Sequence, residues 1–166
     1  ASVIQAYCCA IYSNGGSVAM TNSIFTNTSA TNGGGAIEND DSTVTVTNSS
    51  FTNTTAGFDG GAICNNWGNV TVINSQFIHT TAGIDGGAIE NYGGIVTVTN
   101  SSFNNTSAGN CGGAINNYGT IVNVNNSIFK DNYANGTGAS IYTNDVLNVK
   151  DSTFNSPNAN GTAIIY

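Results

Sequence analysis

The chain has few of the residues that build helices or carry positive charge. Its 166 residues include no Arg, two Lys, one His, one Met and one Pro, and the net charge is −7. A single Leu and two Glu leave every helix-sized window poor in strong helix formers. With so few basic residues and a net charge of −7, neither a nucleic-acid surface nor attraction to anionic membranes is expected. No apolar run is long enough for membrane insertion.

Small and polar residues take the place of those that are missing. The chain contains 21 Gly, 28 Asn and 21 Thr, while 39% of its residues are hydrophobic. This content is too apolar for disorder and predicts one small β-rich domain. Four Cys, few Lys and many Asn-x-Ser/Thr sequences favour an extracellular or cell-surface location. The sequence begins at Ala1 without a leader, which indicates a processed mature protein or an excised fragment.

A repeat of 26 residues determines the predicted fold. The element Gly-Gly-Ala-Ile recurs at this spacing, beginning at Gly34, Gly60, Gly86 and Gly112. One step back reaches Cys8, one step forward reaches Gly138, and a shorter step of 23 residues then reaches Gly161. We therefore predict a single domain over residues 1–166, with six coils and a partial seventh that begin at residues 8, 34, 60, 86, 112, 138 and 161.

Each repeat carries a strand pattern. Residues 43–47 read Thr-Val-Thr-Val-Thr, and Phe, Val and Asn residues each recur in columns at the repeat spacing. One repeat cannot bury its apolar face alone, but stacked repeats align like residues into a continuous core. The prediction is an all-β, single-stranded parallel β-helix with coils ~4.8 Å apart. Asn columns such as Asn22, Asn48 and Asn74 are expected at turns, with amides bonded along the axis. An up-and-down barrel would instead require hairpin signals.

The repeat resembles those of polymorphic outer membrane proteins and archaeal adhesin-like proteins. The resemblance rests on Gly-Gly-Ala-Ile, the Val-Thr-Val-Thr-Asn-Ser strand and the Phe strand, and it covers roughly residues 8–164. Those families pair the first element with Phe-x-x-Asn, which is complete here only from Phe129 to Asn132. The resemblance implies a right-handed β-helix at a cell surface, in adhesion or envelope structure, and identifies no ligand. Besides copies of the chain itself, surface glycans and the surface of a host or partner cell are candidate partners.

Neither end of the sequence carries the features that cap a solenoid. Residues 1–7 are uncharged and residues 161–166 restart the Gly-x-Ala-Ile element. Head-to-tail stacking of copies would cover these edges and produce an open filament. The residues expected at such contacts are Val3, Ile4, Ile164, Ile165 and Tyr166. A piece of a longer adhesin is the alternative.

The repeat restricts how the four cysteines can pair. Cys8 and Cys111 are four coils apart, ~19 Å along the axis, which is beyond the reach of a disulfide. Cys64 and Cys111 are also too far apart. Intermolecular disulfides through Cys8, Cys9, Cys64 and Cys111, a Cys8–Cys9 ring, and buried free thiols all stay open. A zinc site is disfavoured because His79 lies far from any Cys pair, and no metal or cofactor is expected.

Several asparagines are candidates for N-glycosylation. Asparagines such as Asn48, Asn53 and Asn100 follow an inward Val or Phe and are expected inside the solenoid or at its turns, out of reach of a glycosyltransferase. Better candidates are expected at outward or loop positions, namely Asn69, Asn104, Asn125, Asn135 and Asn160.

Acidic and aromatic residues also form columns. Asp59 and Asp85 precede Gly-Gly in adjacent coils, and Glu38 and Glu90 share another column. Such carboxylates could bind Ca²⁺ or act as a pair of acids, but solvated turn residues are the favoured interpretation. The aromatic residues Trp67, Tyr92 and Tyr118 are expected to face outward, where packing is favoured over sugar stacking.

The favoured function is non-enzymatic: an extracellular structural protein that assembles with copies of itself. A polysaccharide lyase or hydrolase usually needs a cationic group or Ca²⁺ beside its acids and bases, and this chain has only two Lys and one His. Ice binding would use a flat Thr-x-Thr ladder, which Ile73, Asn123 and Lys150 interrupt.

Overall fold

The computed structural model describes residues 8–156 and 165–166. Its described residues form strands and no helix. The strands are β1 (Ile11–Thr21), β2 (Ile24–Thr26), β3 (Ser29–Ala30), β4 (Ile37–Thr47), β5 (Ser50–Thr52), β6 (Thr55–Ala56), β7 (Ile63–Asn66), β8 (Asn69–Ile73), β9 (Gln76–Ile78), β10 (Thr81–Ala82), β11 (Ile89–Asn91), β12 (Ile95–Thr99), β13 (Ser102–Asn104), β14 (Ser107–Ala108), β15 (Ile115–Asn117), β16 (Ile121–Asn125), β17 (Ile128–Lys130), β18 (Tyr133–Ala134), β19 (Ile141–Thr143), β20 (Val146–Lys150) and β21 (Thr153–Asn155).

These strands wind into a parallel β-solenoid of about six turns, as the repeat predicts. They form a ten-stranded, a six-stranded and a five-stranded sheet, and every pair of neighbouring strands is parallel. In the interior coils each residue pairs with the one 26 positions later, as Phe51 does with Phe77. Parallel pairing throughout rules out the up-and-down barrel. The right-handed sense stays a prediction.

The two halves of the ten-stranded sheet are joined in the first two coils and separate in the later ones. There β1 and β4 each run for 11 residues, whereas in the next coil β7 and β8 are separated by a short corner. The first half carries the inward Ile column and the second half carries two inward Val columns. The six-stranded sheet, which begins with β2, carries the Phe column.

The core is a set of like-on-like stacks along the axis. Phe rings of adjacent coils lie parallel, with centroids 4.7–4.8 Å apart, from Phe25 to Phe154. Phe51, Phe77, Phe103 and Phe129 are fully buried, as are the inward Ile and Val columns of the same coils. Burial of identical side chains in every coil is the main source of stability, because isolated coils cannot exclude water.

Asparagine occupies the turns because it tolerates the left-handed backbone that they require. Asn22, Asn48, Asn74, Asn100 and Asn126 all have φ near +50°, a conformation that costs most other residues. The predicted amide bonding along the axis occurs here, since Asn126 Nδ2 donates to Asn100 Oδ1 at 2.6 Å. A serine follows each of these asparagines, and from Ser49 onward its Oγ accepts the backbone N–H of the preceding coil, as Ser75 Oγ does from Ser49.

The two end coils are less well covered than the interior. Val18 and Phe25 in the first coil, and Leu147 and Phe154 in the last, are only partly buried, and Val149 is 43% exposed. Of the predicted contact residues, Val3, Ile4 and Ile164 lie outside the described residues. Ile165 pairs with Ile141, and Tyr166 is 62% exposed.

Candidate functional site: an acidic and aromatic face

Five of the nine acidic residues gather on one face of the first four coils. Glu38 and Glu90 lie on either side of Cys64 in one column. Burial raises the pKa of the Cys64 thiol well above its usual value, and the negative charges around it add to this shift, namely those of Glu90, Glu38, Asp59 and Asp40. The chain has only two Lys, and Lys130 lies 3.7 Å from Asp131 in a later coil. This face is therefore strongly negative.

The aspartates of this face act as hydrogen-bond acceptors between coils. Asp59 Oδ1 accepts the backbone N–H of Asp85 at 3.1 Å, and Asp59 Oδ2 accepts the Tyr92 hydroxyl at 2.7 Å. Asp85 Oδ1 accepts the Cys111 N–H at 2.7 Å and the Asn110 amide at 3.0 Å. Burial raises the pKa of Asp85 although the Cys111 N–H opposes the shift. The interpretation as solvated turn residues is wrong for Asp85, which is 6% exposed.

Glu90 is sealed inside the protein. It is 0% exposed, Asn116 Nδ2 donates to its Oε1 at 3.0 Å, and its Oε2 has no hydrogen-bond partner among the described residues. Burial raises the pKa of Glu90 well above its usual value, which favours the neutral acid. Glu38, two coils away, is half-buried and its pKa is raised by burial and by Asp40. Because Glu90 cannot reach a substrate, these glutamates do not form an open pair of acids.

The cysteines take the two intramolecular arrangements that the sequence leaves open. Cys8 and Cys9 are joined by a disulfide, while Cys64 and Cys111 are free and buried. Cys8 and Cys9 are bonded to each other, and burial keeps Cys64 and Cys111 from a neighbouring molecule, so the folded chain does not favour the alternative of intermolecular disulfides. Of the described residues that could hold a metal ion, Cys8, Cys9 and Glu38 come together, with ligand atoms within 4.8 Å of one another.

The exposed aromatic residues form a longer ladder than the sequence predicts. The ring centroids of Tyr92 and Tyr118 are 6.1 Å apart, those of Tyr118 and Tyr142 5.8 Å, and those of Tyr142 and Tyr166 5.4 Å. Burial raises the pKa of Tyr118 to about 12. Trp67 is 73% exposed and lies against Gly93 of the next coil. The tyrosine rings of the ladder contact one another, stacked in two pairs and edge to face between Tyr118 and Tyr142, which supports packing over sugar stacking.

A buried asparagine ladder was not predicted. Asn39, Asn65 and Asn91 each donate a side-chain amide to the next coil at 2.6 Å, and the ladder ends at Asn117 and Thr143. All four asparagines are 0% exposed. Their 26-residue spacing, two positions after each inward Ile, was the available signal. The ladder satisfies polar groups inside the solenoid and presents nothing to a ligand.

The candidate glycosylation sites differ in exposure. Asn69 and Asn135 are exposed, Asn104 and Asn125 are partly exposed, and Asn160 lies outside the described residues. The asparagines expected out of reach occupy the turns, and their side chains are exposed, as at Asn48, Asn53 and Asn100. The expectation that they are inaccessible is wrong, because the left-handed turn directs them outward.

In the part of the chain that the structure describes, no helix is long and apolar enough to cross a membrane. Comparison with protein-family models, with curated proteins and with solved structures gives no significant match to this chain.

Proposed function

We propose that the protein is a non-enzymatic, extracellular structural subunit, which assembles head to tail into a cell-surface filament or envelope layer. The observation that carries this proposal is the partial exposure of the core at both end coils. Leu147, Val149 and Phe154 at one end are less buried than the residues that stack beneath them. A covering coil would remove this apolar surface from water at about 25 cal/mol per Å².

The two ends match in side-chain type. The Phe column begins at Phe25 and ends at Phe154, and one Val column begins at Val18 and ends at Leu147. The strands β1 and β2 contain no charged residue, and Lys150 is the only charged residue in β20 and β21. Unpaired parallel edges of matching composition and low charge favour pairing between copies. Such a contact is heterologous and propagates as a filament.

The extracellular location rests on composition. Four cysteines, exposed Asn-x-Ser/Thr sites and only two Lys suit a protein that meets oxidants and proteases outside the cell. The alternative is a segment of a longer adhesin, in which further coils of the same chain cover the two ends. The Phe and Val columns of the core run through both the first and the last coil, so they are equally compatible with this alternative.

Electron microscopy of native material, with and without reductant, tests the proposal. Filaments that persist on dilution support head-to-tail assembly, and dispersed short rods at high concentration contradict it. Val149→Lys places a charge on the exposed end and should prevent filaments. Thr97→Lys, on the outward face of an interior coil, is the matched control and should leave them intact. Filament loss in both variants would mean lateral packing instead.

A further inference from the structure

A small cavity lies beside the disulfide in the first coil. It has a volume of about 420 Å³ and is lined by Cys8, Tyr12, Asn32, Glu38 and Asp40. Cys8 Sγ lies 2.9 Å from Glu38 Oε2, and the Tyr12 hydroxyl donates to Asp40 Oδ2 at 2.7 Å. Asp40 Oδ1 accepts the Asn66 amide at 2.8 Å. The cavity thus brings two sulfurs and two carboxylates to one place.

We propose that reduction of the Cys8–Cys9 disulfide turns this cavity into a binding site for a thiophilic divalent cation such as Cd²⁺ or Zn²⁺. A dithiol or a phosphine supplies the two electrons, the S–S bond breaks, and each sulfur takes a proton. A dithiol provides both protons and becomes a disulfide, whereas a phosphine becomes a phosphine oxide by taking the oxygen of a water molecule, which provides the two protons. Metal binding then forms two metal–sulfur bonds and releases the two thiol protons to solvent.

The ligand atoms are close enough for a single ion. Two atoms that each bind zinc at about 2.3 Å can be at most about 4.6 Å apart. In the disulfide-bonded chain, the sulfurs of Cys8 and Cys9 and a carboxylate oxygen of Glu38 lie within 4.8 Å of one another. Reduction frees the two sulfurs to separate, and rotation of both side chains places them around one ion together with Glu38. Two thiolates and one carboxylate suit soft or borderline cations, and the open cavity leaves the fourth position to water.

The local charge also favours a cation. Glu38 and Asp40 both line the cavity, so two carboxylates on one wall attract a cation. Asp40 is already held by Tyr12 and Asn66, so it contributes charge from outside the ligand set. No metal is expected from the sequence, because no histidine accompanies the cysteine pair. Folding supplies Glu38 instead, 30 positions along the chain from Cys8.

The cation should bind only after the disulfide has been reduced. Disulfide sulfurs lack the thiolate charge that binds metal, so the oxidised protein should not take up the cation. Cys64 is 4% exposed and Cys111 is 9% exposed, and these buried thiols should not compete in the folded chain. The site does not depend on whether the chain forms filaments.

Titration of the phosphine-reduced protein with Cd²⁺, followed by thiolate-to-metal absorption in the ultraviolet, tests the inference. We expect one Cd²⁺ per chain, two protons released, and at least a tenfold loss of affinity after oxidation. Cys64→Ser/Cys111→Ser should bind as the wild type does, Cys9→Ser should abolish binding, and Glu38→Gln should weaken it about tenfold. Equal binding by the oxidised and reduced wild type would overturn the proposal without any variant, as would full binding by Cys9→Ser.

Discussion

The buried asparagine ladder gives the most specific prediction about stability. The Asn91 side chain accepts from Asn65 at 2.6 Å, and donates to Asn117 at 2.6 Å and to the Gly94 carbonyl at 3.3 Å. Asn91→Ala removes all three bonds from a site that is 0% exposed. At about 1 kcal/mol of net stability per bond, the variant should lose about 3 kcal/mol.

The neighbours limit this loss. Asn65 Nδ2 keeps its bonds to the Gly68 and Gly93 carbonyls, and Asn117 Oδ1 keeps the Gly119 N–H. These groups are not left wholly unpaired, so the full cost of burying an unsatisfied polar group should not appear. A loss well above 5 kcal/mol would therefore also be unexpected.

Urea unfolding followed by circular dichroism measures the change in the free energy of unfolding. Asn123→Ala is the matched control, because Asn123 is a strand residue on the outer surface. Its amide donates to Thr97 at 3.4 Å and its Oδ1 accepts from Asn148 at 2.9 Å, where water can replace the exposed bond. It should cost less than about 0.5 kcal/mol. If Asn91→Ala costs less than about 1 kcal/mol, or no more than the control, the ladder is not a stabilising network and the reasoning fails.

Three further predictions concern the core, the tight turns and the buried acid. Phe77→Ala should cost about 3–5 kcal/mol, and Phe154→Ala distinctly less, because Phe77 is stacked on both sides and Phe154 only partly buried; equal losses in urea unfolding would contradict this. Gly87→Ala should prevent folding because its Cβ would overlap the Gly113 carbonyl oxygen. Gly15→Ala meets open space and should cost only about 1–2 kcal/mol because of its positive φ. A soluble, folded Gly87→Ala variant would refute the packing argument. Because burial raises the folded-state pKa of Glu90, its stabilising contribution is complete below the unfolded pKa of about 4.3 and declines as pH rises toward the folded value. Glu90→Gln should then be more stable than the wild type at pH 7. In paired urea-unfolding curves, the free energy of unfolding of the variant should fall less between pH 5 and pH 8 than that of the wild type. An equal fall in both proteins would mean that Glu90 is not its cause.

The repeat predicted the solenoid because every core column is a simple 26-residue periodicity. Which of the polar columns are buried was harder to predict. Asn39 and Asn48 are the same residue type at the same repeat spacing, yet one is sealed and the other is exposed. The difference depends on backbone conformation, since Asn48 has a positive φ while Asn39 lies within a strand.

Contacts between columns could not be predicted from spacing alone. The register gives which residues stack, but it does not say that Tyr92 reaches Asp59, 33 positions away, or that Cys8 meets Glu38. Tyr142 was missed because it pairs in register with Asn116, not with Tyr118. Tyr166 was missed because it follows Ile165, which pairs with Ile141 at a spacing of 24 residues. The sequence therefore predicts the two acidic columns, but only the folded chain brings them and Asp40 together around Cys64.

The shortened last coil shows where the solenoid accepts changes in length. Val122 pairs with Leu147, only 25 positions later, yet the Val and Phe columns continue without a break. The missing residue falls at the corner between β19 and β20, where Asp145 Oδ1 accepts the Val146 N–H at 2.9 Å. Evolution or an engineer can thus alter this corner independently of the core. Peptides grafted at the equivalent corners of successive coils would project from the rod in a row, at intervals of about 4.8 Å.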